Sequence, residues 1–135
     1  MPTLRIPLKP VPASRPRVSK WSTYYGKTYE TYKKTLPLYI PKNKVLIDGA
    51  IECNVMFAFK AKRKHDIGKY ATISFDIDNL EKALYDACNG RLWLDDCQIV
   101  KHFVQKIYDT EAYILLSYQE VKNNGNHVNF ILDRS

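Results

Sequence analysis

One apolar stripe constrains this chain more than any other feature. Leu80, Ala83, Leu84, Ala87 and Cys88 recur at helical spacing, and Asn79, Glu81, Lys82, Tyr85 and Asp86 fall off that stripe. Asn89-Gly90 is expected to end the helix, because both residues tolerate the left-handed conformation that closes helices. Its start is expected near Asp76 to Asp78. There Asp78 and Glu81 fit a capping box, and Asp78 with Lys82 forms an i,i+4 pair in the favourable order. Before the helix, Ile51 to Phe59 alternates: Ile51, Cys53, Val55, Phe57 and Phe59 point one way, as in a half-buried strand. After it, Ile99 to Tyr108 reads as another strand. If the two share a sheet, the connection between them is a right-handed crossover.

The remaining segments fit around that unit. Leu4 to Val11 is interrupted by Pro7 and Pro10, which suits an edge strand. Thr28 to Tyr39 has Tyr29, Tyr32, Leu36 and Tyr39 at helical spacing, read as packing residues, with Thr28 as N-cap and Pro37 ending or kinking the helix. Trp93 is expected to anchor the core and fix where Asp95 and Asp96 emerge. Ile99 to Tyr108 and Ala112 to Val121 are expected to form a hairpin through Asp109-Thr110-Glu111, with the second strand central in the sheet. The tail from 122 to 135 adds a strand, packs on a partner subunit or stays mobile; the sequence leaves these open. At 135 residues the chain forms one domain over 1–135. The expected class is α/β (α+β), a mixed sheet of about four strands with two or more packed helices.

Capping accounts for Asp78. It does not account for Asp76 two residues earlier, nor for Asp95 and Asp96 returning just past the helix. Carboxylates gathered at one place repel one another, and a cation relieves that. These are hard oxygen donors, which suit Mg²⁺ or Mn²⁺ better than Zn²⁺. His65 has no partner at ligand spacing, and it, His102 and His127 are read as non-metal. Charge is divided unevenly: residues 1–75 hold 15 Lys/Arg against 4 Asp/Glu, and residues 76–135 hold 6 against 10. A basic half joined to an acidic site suits an enzyme of nucleic-acid backbones, since cations neutralise phosphates. The candidate contacts are Arg15, Arg17 and Lys20, interleaved with Trp21, Tyr24 and Tyr25, and then Lys62, Arg63 and Lys64 in the loop leading to Asp76. Surplus lysine that serves only solubility, and aromatics that only pack, are the plainer readings.

The pattern Asp76, Asp78, Asn79, Leu80, Lys82, Ala83, Asp86, Ala87, then Trp93, Asp95, Asp96 and Gln98 resembles the RusA family of Holliday junction resolvases. Arg15 to Arg17 is similar to an Arg-Pro-Arg element in many members. The resemblance implies a small α/β homodimer that cuts four-way DNA junctions with a divalent metal, Mg²⁺ or Mn²⁺. It carries the metal-binding aspartates onto Asp76, Asp78 and Asp96, and an essential lysine onto Lys82. Members often have a basic residue before the first aspartate; here that residue is Phe75, and the basic run lies further upstream. With a metal bound, water would be activated and aligned with a phosphorus, and Lys82 would meet charge on the phosphate or position it; its plainer role is a salt bridge to Asp78 or Asp86. Asp95 would orient the ligands from behind, contact the third strand or help as a ligand.

No apolar run reaches the length of a membrane span, and the N-terminus lacks a signal-peptide pattern. Cys53, Cys88 and Cys97 form no C-x-x-C pair, which suits reduced thiols in the cytoplasm. Two other function classes fit the same residues: a metal nuclease acting on flaps, ends or RNA, and a nucleic-acid-binding module whose acids merely cap a helix.

Overall fold

A computed structural model describes residues 1–14, 17–18, 23–24 and 27–122. The side chains of Arg15, Arg17, Lys20, Trp21, Tyr24 and Tyr25, and the tail from 123 onward, lie outside the described residues. The elements run in the order β1 (Thr3–Ile6), β2 (Arg17–Val18), β3 (Thr23–Tyr24), α1 (Lys27–Thr35), β4 (Ile51–Lys60), α2 (Ile77–Cys88), β5 (Ile99–Asp109) and β6 (Tyr113–Glu120). Four strands form one mixed sheet in the order β1-β6-β4-β5, and β2 pairs β3 as a separate two-stranded ribbon.

β4 and β5 are parallel and joined through α2, so the strand–helix–strand unit shares one sheet. β1 lies at the sheet edge but ends at Ile6, short of the expected Val11, because Pro7 and Pro10 follow it and cannot donate to a ladder. The expected hairpin between β5 and β6 does not form. Both strands flank β4, β5 in parallel and β6 antiparallel. The chain from Asp109 to Tyr113 steps over the end of β4, where the Ala61 amide donates to the Asp109 carbonyl at 2.9 Å. Two strand spacings are roughly 10 Å, and three linking residues reach roughly that far. A short link therefore fits either topology. The most apolar strand takes the interior, and β5, with Lys101, His102 and Lys106, takes an edge.

The core lies between the α2 stripe and one face of the sheet. Ile51, Cys53, Val55, Phe57 and Phe59 pack in one cluster with Leu80, Leu84, Cys88, Trp93, Ile114 and Leu116. The stripe on α2 is wider than the periodicity indicates, because Glu81 and Tyr85 are also buried. Gly90 closes the helix at φ +78°, where glycine carries no steric cost. α1 begins at Lys27, one residue before the expected cap Thr28, and Pro37 opens a 3-10 turn over Leu36–Tyr39. Tyr29, Tyr32 and Leu36 are buried, but Tyr39 faces solvent, so it does not pack as expected.

Trp93 is fully buried, and its indole N–H donates to Asn89 Oδ1 at 2.8 Å. Tyr85 and Tyr118 meet its ring edge-on. The residue thus ties the end of α2 to the sheet immediately before the acids that follow. Trp93→Ala is expected to cost about 3–5 kcal/mol of unfolding free energy. Urea denaturation measures this, and a loss below about 1 kcal/mol would show that the ring is not an anchor.

Candidate active site

Asp76 is the N-cap residue of α2, with an extended backbone (ψ 138°) and no side-chain cap hydrogen bond. Asp78 follows in the first turn, and both side chains are exposed. The expected capping box through Asp78 and Glu81 is not made. Glu81 turns to the sheet instead, where it meets Nδ1 of His102 at 2.5 Å. A capping box does occur nearby, at Asp95. The Cys97 amide donates to Asp95 Oδ2 at 3.3 Å, and Gln98 Oε1 accepts from the Asp95 amide at 2.8 Å. The Gln98 amide nitrogen also donates to the carbonyls of Ile47 and Gly49. The bonds from Cys97, its thiol first and then its amide, hold the Asp95 carboxyl below the ordinary carboxylate range. Asp95 therefore shapes the turn that delivers Asp96.

Asp96 experiences the opposite effect. Desolvation, then the charges of Asp95 and Asp86, push its carboxyl above the ordinary range, and Lys82 only partly offsets them. Lys82 Nζ stands 3.4 Å from Asp86 Oδ2. Asp86, and then more weakly Asp96, raise the Lys82 ammonium. Lys82 thus sits between two acids, and its ion-pair partner is Asp86 rather than Asp78.

The approach to α2 is held from behind. Lys106 Nζ, on β5, donates to the carbonyls of Phe75 at 2.7 Å and Ile73 at 3.2 Å. Residues 68–71 run alongside, with the Ala71 amide donating to the Lys106 carbonyl and the Tyr108 amide to the Lys69 carbonyl. A groove of about 690 Å³ lies on this side, lined among others by Lys9, Lys60, Lys62, Arg63 and Phe75. It reaches the residue immediately before Asp76. Lys64 lies in the 3-10 turn Lys64–Asp66 and is exposed.

A second groove, of about 360 Å³, is lined by Asp96 together with Glu81, Tyr85, Val100, Lys101 and His102. Sequence periodicity misses its Glu81–His102 pair. Simple alternation from Ile99 turns His102 away from the helix, but an irregularity beside Ile51 and Glu52 shifts the β5 register, so that Cys53 pairs with His102.

The donor chemistry around Asp96 fits a hard divalent cation. The carboxylates of Asp96, Asp95 and Asp86 are hard oxygen donors, and desolvation first, then the charges of Asp95 and Asp86, disfavour the ionised form of Asp96 where no cation is present. Among the described residues, no three His, Cys, Asp or Glu side chains already form a group that could hold a metal ion. Asp76, Asp78 and Asp96 do not form such a group.

Because folding favours protonated Asp96, its contribution to stability is greatest in acid and is lost as pH rises through the carboxylate range. Asp96→Asn is expected to raise the melting temperature at about pH 7, with the gain fading by about pH 3. Thermal scans at both pH values check this, and an equal or lower melting temperature at neutral pH would contradict it.

No curated protein matches the chain. Residues 7–117, however, match the family model of the endodeoxyribonuclease RusA. That span contains the basic groove, both pairs of acids and the whole β4–α2–β5 unit. On that match, across most of its length, the chain belongs to the RusA family of endodeoxyribonucleases, which act on Holliday junction DNA.

Proposed function

We propose that this chain is a Mg²⁺-dependent, structure-selective endodeoxyribonuclease that resolves four-way DNA junctions in recombination and repair. Mn²⁺ would serve in place of Mg²⁺. The observation that carries the reading is the basic groove ending at Phe75, one residue before the acids at the mouth of α2. Cations along such a groove hold phosphates without reading bases, which suits recognition of DNA shape. Lys62 and Arg63 are the groove's own phosphate contacts, with Lys64, Arg15, Arg17 and Lys20 as further candidates.

Asp76, Asp78 and Asp96 would hold the ion, which when bound supplies water activation and neutralises charge on the phosphate. The protein's own share is positional. The N-terminus of α2 directs the positive end of its dipole at the same place. Lys106 fixes the carbonyls on the approach to Asp76. With a phosphate near Asp96, Lys82 has an alternative to Asp86 and would stabilise the charge that develops at phosphorus. Resolving a junction needs two cuts at positions related by two-fold symmetry. A chain with one site would therefore act as a homodimer. No helix among the described residues is long and apolar enough to cross a membrane. The three free cysteines, two of them buried, suit work in the reducing cytoplasm.

The test is cleavage of a synthetic four-way junction, a flap and a plain duplex, with and without Mg²⁺. Paired symmetric cuts in the junction, dependent on Mg²⁺, are expected. Preference for the flap would point to a different metal nuclease, and binding without any product would point to a non-enzymatic module. Asp78→Asn is expected to lower cleavage by about 10³-fold or more, as loss of metal-assisted chemistry requires, while gel-shift affinity for the junction stays unchanged. A variant that cuts at the parental rate would remove Asp78 from the site.

A further inference from the structure

Glu81 is a buried acid on the sheet-facing side of a helix whose other buried residues are apolar or aromatic. It is 8% exposed, and its Oε2 lies 2.5 Å from Nδ1 of His102. His102 is not buried with it, since its side chain is 51% exposed. The pair therefore has a dry end and a wet end, and the wet end lines the groove that also contains Asp96. A structural tie alone does not need this arrangement. Two apolar residues would hold α2 on β5 at least as well, because burying a charge costs more than burying a hydrocarbon of similar size. A carboxylate fixed on Nδ1 does give an imidazole a set tautomer and orientation, and leaves Nε2 for chemistry.

Among its neighbours, His102 is the half-exposed side chain held by a carboxylate on one ring nitrogen. From β4, Cys53 is pushed up to about 12 by burial and then by Glu81 and Glu52, so it remains a neutral thiol. Tyr85 on α2 is also raised, first by burial and then by Cys53 and Glu81. Lys101, on the same strand, is tied to Glu52 at 3.2 Å. Asp96 stands across the groove beside Lys82 and Asp86.

We propose that His102, oriented by Glu81, is the general acid of the cleavage reaction. In that step the oxygen of water bonds to phosphorus and its surplus proton goes to solvent. The bond from phosphorus to the leaving sugar oxygen breaks, and its electron pair stays on that oxygen. The imidazolium N–H gives it a proton, so the product is a neutral hydroxyl. The neutral imidazole regains a proton from solvent. This inference rests on the nuclease reading above and adds a residue to that site.

The experiment compares an ordinary junction with one carrying sulfur as the bridging leaving atom, since a thiolate leaves without a proton. On the ordinary junction, kcat of the unmodified protein is expected to fall as pH rises through the range where imidazole deprotonates. On the sulfur junction that fall should be absent. His102→Gln should cut the ordinary junction about 10²-fold more slowly and the sulfur junction at the unmodified rate. Glu81→Gln should give a smaller loss with the same selectivity. An equal defect on both substrates, or none, would overturn the proposal, and so would matching pH profiles of the unmodified protein, which need no variant to fold. If the unmodified protein cuts neither junction, the functional reading itself fails, an outcome distinct from the others.

Discussion

Everything at the site depends on the burial of α2, the crossover that links two parallel strands, against one face of the sheet. The helix is pressed onto the sheet by Leu80, Ala83, Leu84 and Cys88 against the β4 row of Cys53, Val55 and Phe57. Burial of that surface is worth roughly 25 cal/mol per Å², and it fixes the helix in rotation as well as position. Rotation matters because the same turns carry opposite chemistry on opposite sides. Lys82 and Asp86 face solvent while Glu81 faces the sheet. The crossover also decides which chain segments meet: β4 leads into the basic loop and the mouth of α2, and β5 leaves from Asp96.

Trp93 and the turn at Asp95 complete the placement. The indole closes the core beneath the end of α2, and the capping box of Asp95 and Gln98 turns the chain immediately after it. The result is an acid, Asp96, held where desolvation and two other carboxylates disfavour its charge. A fold keeps such a group at some cost in stability, which marks Asp96 as a candidate for function.

Much of this was legible in the residues. The β4 alternation and the ends of α2 follow from periodicity and from Asn89-Gly90, and the Trp93 anchor from its place between helix and acids. The neighbour of β6 was not legible, because alternation reports which faces are buried and not which strand lies alongside. The Glu81–His102 pair was hidden for a related reason. A register shift opposite Ile51 and Glu52 turns His102 toward the helix, and nothing in the local pattern announces it. Asp78 carried a capping signal that the fold does not use, since its supposed partner Glu81 has a stronger one on β5.

Lys106 has a mechanical consequence. Its ammonium bridges an edge strand to two carbonyls of the segment that leads into α2. Any tilt of that strand is therefore transmitted to the lip of the helix through a charge-assisted link rather than absorbed by slack in the loop. A force applied at the rim of the sheet would reach the acids as a displacement.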